Sequence, residues 1–83
     1  MPLIVPPAVY EQLAAMPKPD ALRLVDRLEK IAANPLGRHA GVKPLTGMRG
    51  AYRVRQGDWR AVFSLEDGDV VLDRVAHRRE VYR

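Results

Sequence analysis

The stretch Ala51-Tyr-Arg-Val-Arg-Gln-Gly-Asp-Trp-Arg-Ala-Val-Phe-Ser-Leu-Glu-Asp-Gly-Asp-Val-Val-Leu-Asp-Arg-Val-Ala76 decides the fold. It breaks at Gly57-Asp58 and again at Asp67-Gly68, the second a strong two-residue hairpin signal because both positions accept a positive φ. Three strands are therefore expected at residues 51–56, 59–65 and 70–76, running as an antiparallel meander. Period-two alternation sorts their faces. Tyr52 and Val54 fall on one side of the first strand, Arg53 and Arg55 on the other. In the second, Trp59, Ala61, Phe63 and Leu65 oppose Arg60, Val62 and Ser64. The third is less clean: Val71, Leu72 and Val75 disagree about a single apolar face, and Asp73 and Arg74 interrupt both. Cover on both sides, in part from the C-terminal tail, is expected there.

Upstream, the sequence reads as helix. Leu3-Ile4-Val5 is a brief apolar run cut off by Pro6-Pro7, and a proline fits the first turn of a helix, where its missing N–H is not needed. Val9, Leu13 and Met16 then recur at helical spacing. Pro17-Lys-Pro19 ends that helix and starts a second, with Asp20 near the positive end of its dipole. Ala21, Leu24, Val25, Leu28, Ile31 and Ala32 form an apolar stripe, while Arg23, Asp26, Arg27 and Lys30 face water. Asn34-Pro35-Leu-Gly37 stops it, and residues 38–50 read as a loop anchored by Leu45. The expectation is one α+β domain over residues 1–83: a short N-terminal strand, then an α-helical hairpin packed on one face of a small antiparallel sheet, in the order β-α-α-β-β-β.

Composition narrows the partners. The 83 residues leave room for one small core, worth about 3–5 kcal/mol in a chain of this size, so support from a bound partner is expected. There is no cysteine, which suits a reducing, cytoplasmic setting and removes thiolate metal sites. No apolar run is long enough to span a membrane, and residues 1–7 do not read as a signal peptide. The net charge of +4 is uneven: five Lys/Arg against four Asp/Glu in residues 1–40, nine against six in 41–83. Basic residues near strands with acids in turns suit a polyanion; a generically basic, solvated surface is the bland alternative.

Guanidiniums held close together repel until an anion sits between them, and arginine suits planar two-oxygen contact. Arg53, Arg55 and Arg60 on the exposed side of the meander, with Arg78 and Tyr82 in the tail, read as a phosphate site. If an RNA 2′-hydroxyl lay beside the bound phosphate, those charges would stabilise the extra negative charge of a five-coordinate transition state. His77 is the one histidine in the cluster, and histidine is the residue type suited to proton transfer near neutral pH, which makes it the candidate general base. The plain alternative for His77 is a strand-end residue bonded to the backbone, and for Tyr82 packing of the tail. Tyr52, Trp59 and Phe63 share a parity and read as core, not as a base-stacking platform. No cofactor or metal is expected, and His39, in a loop far from the cluster, is assigned nothing.

From Lys43 onward the chain resembles a known family. Lys43-x-Leu-x-Gly, Tyr52-Arg-Val-Arg-x-Gly-Asp-Trp-Arg-Ala-Val-Phe63 and His77-Arg-Arg-Glu-Val-Tyr82 are similar to the RelE/ParE superfamily of toxins from type II toxin–antitoxin systems. For the RelE branch the resemblance implies cleavage of mRNA in the ribosomal A site by 2′-OH attack without a metal, leaving a cyclic phosphate and a 5′-hydroxyl. It implies site positions at Arg53, Arg55, Arg60, Arg78 and Tyr82, the last stacking on a base. Two lysines of the best-known member are arginines here, which removes the side chain most readily proposed as base there and leaves two readings: His77 takes that task, or the activity is weaker. The implied partners are a cognate antitoxin and the ribosome, with operator DNA met only through the antitoxin. The ParE branch implies instead a gyrase inhibitor that does not cut RNA, and an inactive antitoxin-binding homologue is the third reading. The full basic-plus-tyrosine set favours the nuclease.

Overall fold

In a computed structural model, which describes residues 2–81, the chain runs β1 (Leu3–Ile4), α1 (Pro7–Ala14), α2 (Lys18–Ala33), β2 (Val42–Pro44), β3 (Ala51–Gln56), β4 (Trp59–Glu66), β5 (Asp69–His77) and α3 (Arg78–Val81). The α+β expectation holds, with additions. The sheet has five strands in the order β1-β5-β4-β3-β2. β1 lies parallel to β5, pairing Leu3 with Val70 and Ile4 with Val71, so the sheet is mixed. The remaining pairs are antiparallel.

Both hairpins form where their turn residues require. Asp67 and Gly68 take φ of 46° and 85°, the double positive φ of a type I′ turn, and Gly57 takes 59° at the first hairpin position. β2 corrects the reading of residues 38–50 as a loop. Val42, Lys43 and Pro44 pair with Val54, Arg53 and Tyr52. Gly41 and Pro44 mask the strand in sequence, but a proline costs no ladder bond on an outer edge. α3 is an addition to the expected order: it packs on β4 and β5, and the Arg78 amide donates to the Asp58 carbonyl at 2.8 Å.

The third strand's disputed parity has a physical answer. Val62 pairs with Arg74 but Phe63 with Leu72, so Asp73 is an extra residue on β5, a bulge. One skipped residue puts Val70, Leu72 and Val75 on the same face, opposite Leu65, Phe63 and Ala61. Because β1 is two residues long, it leaves the outer edge of β5 uncovered beyond Val71. There α1 takes over, with Gln12 Oε1 accepting the Val75 N–H at 2.8 Å.

The core lies between that face and the hairpin. Leu24, Leu28 and Ile31 of α2 and Val9 and Leu13 of α1 meet Val54, Phe63, Val70 and Leu72, most of them fully buried. Each such side chain contributes about 1.5–3 kcal/mol of transfer free energy. The α1–α2 hairpin therefore occupies one side of the sheet, and the other side of β3 and β4 is left for charge.

Candidate functional site

Strand parity and β2 together build a basic cleft. Arg55 stands directly opposite Arg60 across β3–β4, and Lys43 directly opposite Arg53 across β2–β3. The Arg55 amide donates to the Gly41 carbonyl at 3.0 Å, away from β4, so Arg55 and Arg60 form a non-hydrogen-bonded pair. In such pairs the side chains approach each other most closely. A cleft of about 280 Å³ is lined by Lys43, Arg53, Arg55 and Arg60, with Gly41 and Val54. Among the described residues, no carboxylate lies within 4.0 Å of any of these four cations.

Arg60 is the most constrained member. Its Nη1 donates to the Gly57 carbonyl at 2.8 Å and to the Trp59 carbonyl at 2.9 Å. The tight β3–β4 turn thus holds one corner of the guanidinium and leaves Nε and Nη2 for a ligand. Arg53 and Arg55 are exposed, Arg60 half-buried. Four cations around one cleft can bind an anion with several oxygens, and planar guanidiniums fit two oxygens each.

Of the residues singled out in the sequence, Arg53, Arg55 and Arg60 are brought together. Arg78 lies at the same end of the sheet but is tied to Asp58 at 3.6 Å, both side chains more than half exposed. His77 does not join the arginines. It pairs with Trp59, whose parity is that of the helix-covered face, and its ring stands edge-on to the Trp59 ring with centroids 5.4 Å apart. The Arg79 amide donates to its Nδ1 at 3.3 Å, the strand-end arrangement that was the plain alternative. The residue on the arginine face at that end of β5 is Ala76, opposite Arg60. Tyr82 lies outside the described residues. Tyr52 and Phe63 stack at 5.4 Å and 19°, against the core as their parity required.

Lys43 is the site residue that the sequence reading missed. Its signal was present but indirect: Val42 and Lys43 alternate as apolar and basic, in phase with Val54 and Arg53 on the neighbouring strand. Arg74 also belongs to this face, opposite Val62, but its guanidinium reaches the Glu80 carbonyl at 3.5 Å and ties down α3. A second groove of about 510 Å³ opens beside β2, lined by Leu36, Val42, Pro44, Tyr52 and Phe63 together with Arg38 and His39. Leu36 is 88% exposed there, an isolated apolar side chain with nothing over it among the described residues. No helix of the described residues is long and apolar enough to cross a membrane.

The fold is one mixed sheet with an α-helical hairpin on one face and a cationic cleft on the other. Residues 4–82 match the family described as ParE toxin of type II toxin-antitoxin system, parDE, and the chain belongs to that family within the RelE/ParE superfamily. Solved structures agree on the architecture. The isolated Escherichia coli RelE toxin superposes with a TM-score of 0.78 at 21% identity, over 98% of this chain and 89% of that one. The RelE–RelB complex from Pyrococcus horikoshii gives 0.78 at 23% identity, over 95% and 96%. The RelB–RelE antitoxin–toxin complex from Methanococcus jannaschii gives 0.76 at 20%, over 95% and 94%. No curated protein matches the chain.

Proposed function

We propose that this toxin is a ribosome-dependent mRNA endonuclease in which Arg53, Arg55 and Arg60, joined by Lys43, hold the scissile phosphate. The observation that carries this reading is the convergence of those four cations on one cleft with no carboxylate beside them among the described residues. In the reaction the RNA 2′-hydroxyl loses its proton and attacks phosphorus, the P–O5′ bond breaks, and O5′ takes up a proton. The products are a 2′,3′-cyclic phosphate and a 5′-hydroxyl. The Arg60 guanidinium, held by the β3–β4 turn before the substrate arrives, stabilises the charge added in the five-coordinate transition state without reorganisation. Arg78 can swing from Asp58 towards the substrate, because an exposed ion pair contributes little and breaks easily. Tyr82 supplies the base-stacking group. His77, facing Trp59, has no part in proton transfer in this scheme.

The cognate antitoxin fits the groove beside β2, since Leu36, Tyr52 and Phe63 there match the apolar face of a folding peptide segment. Several similar structures are toxin–antitoxin complexes, which supports such a partner. Cytoplasmic action follows from a ribosomal target.

The second reading, inhibition of gyrase without RNA cleavage, has the ParE family match in its favour. Primer extension on cellular mRNA after induced expression separates the two. The nuclease reading expects A-site cuts that vanish with Arg60→Ala, as removing one preorganised donor costs about 10²–10³ in rate. Intact mRNA accompanied by gyrase-linked DNA breaks would overturn it.

A further inference from the structure

Behind the first cleft, around the β2 edge, α2 and the loop after it form a second basic groove of about 480 Å³. Arg23, Arg27 and Lys30 project from one side of α2 into it, and Arg38 faces them from the loop, with Asp26 and Gln56 completing the walls. Two of these cations are already matched: Lys30 pairs with Asp26 at 3.0 Å and Arg23 with Asp20 at 3.4 Å. Arg27 and Arg38 have no carboxylate within 4.0 Å among the described residues.

Arg27 is not the solvated helix residue that its place in the polar stripe suggests. It is half-buried, and its Nη1 donates to Gln56 Oε1, across the end of β3, at 3.2 Å. Its Nη2 lies 3.1 Å from the point where a side chain on Gly41 would begin, as does the Arg55 carbonyl oxygen. Gly41 takes φ +75° and also lines the first cleft. One bare backbone position therefore separates the two basic grooves, and its lack of a side chain lets the Arg27 guanidinium reach that dividing wall.

We propose that Arg27 and Arg38 form a second phosphate-binding groove, continuous past Gly41 with the first, so that RNA backbone is held on both sides of the β2 edge. This rests on the RNA reading of the first cleft. The lining side chains favour a sugar–phosphate backbone over a folding protein segment: Arg23, Arg27, Lys30 and Arg38 stand with Asp26 and Gln56 and with no large apolar side chain, whereas Leu36, Tyr52 and Phe63 line the neighbouring groove. Four cations against the single Asp26 carboxylate leave a surplus of positive charge, the footprint of a polyanion.

The test is the salt dependence of binding to a fluorescein-labelled single-stranded RNA of about 20 nucleotides, where each phosphate contact contributes about 0.7 to the slope of log K against log salt. Arg38→Ala and Arg27→Gln should each lower the slope by about that amount, and Arg55→Ala should do so separately through the first cleft. Lys18→Ala removes the same charge from outside both grooves and should leave the slope unchanged; thermal melts check that each variant is folded. An unchanged slope in folded Arg38→Ala and Arg27→Gln overturns the second groove, even if Arg55→Ala still lowers it and so preserves the first. A fall with Arg38→Ala but not with Arg55→Ala keeps the second groove and removes the reading of the first. An equal fall with Lys18→Ala would reduce the surface to diffuse positive charge and overturn the proposal. So would weakened antitoxin binding by Arg38→Ala with an unchanged RNA slope.

Discussion

Replacing Arg55 with glutamine should make this protein more stable while removing part of its anion site. Arg55 and Arg60 face each other at a non-hydrogen-bonded position, and Arg53 stands two residues away on the same face. With guanidinium centres splayed to about 7 Å in high dielectric, each like-charge pair costs about 0.6 kcal/mol, or about 1 kcal/mol for both at low salt. That agrees with the roughly 0.2–1 kcal/mol typical of a cross-strand pair. The Arg55 side chain makes no hydrogen bond or ion pair among the described residues, so the substitution removes repulsion and no attraction of either kind. For a domain of this size about 1 kcal/mol moves Tm by about 4–8 °C. Thermal unfolding followed by circular dichroism in about 10 mM and about 1 M NaCl gives the reading, because the Debye length falls from about 30 Å to about 3 Å between them. The gain should be nearly complete at low salt and nearly gone at high salt. Added inorganic phosphate should stabilise the parent protein more than the variant, as a ligand bound to the native state must. A variant that melts at or below the parent temperature at low salt would refute the reasoning, as would a gain indifferent to salt.

Two further substitutions probe the frame around the site. Gln12→Ala strips the acceptor from the Val75 amide at a position 5% exposed, which should cost about 1–3 kcal/mol in urea unfolding without altering the cationic cleft; a cost near zero would mean that β5 does not depend on α1 there. Gly41→Ala forces a side chain into φ +75° and to 3.1 Å from both the Arg27 guanidinium and the Arg55 carbonyl, with about 1–2 kcal/mol of backbone strain alone. Chemical denaturation should show at least that loss, and an alanine variant as stable as the parent would contradict the crowding at this wall.

Much of the fold was legible because turn chemistry and side-chain period act locally. Asp67-Gly68 names its own turn, the apolar stripe of α2 names its buried face, and the alternation of β3 and β4 places Arg53, Arg55 and Arg60 opposite the helices. What stayed hidden depends on neighbours. β2 is three residues long and flanked by glycine and proline, so only its partner strand makes it a strand and turns Lys43 into a fourth cation. The Asp73 bulge is a register decision between two strands, and a one-residue slip exchanges faces without leaving a mark in composition. His77 was misplaced for a related reason: nearness to Arg78 in sequence says nothing about which face of the last strand a ring occupies.

Taken alone, the amino-acid order determined an α+β scaffold with its guanidiniums on the unburied side of a meander, because periodicity and turn preference belong to short segments. The three-dimensional packing decided everything that required distant segments to meet. It set the parallel edge made by β1, and it held Arg27 against the glycine wall of the cleft. It put His77 beside Trp59 instead of among the cations. Those outcomes follow from which surfaces bury together, and burial is a property of the assembled chain, not of any stretch of it.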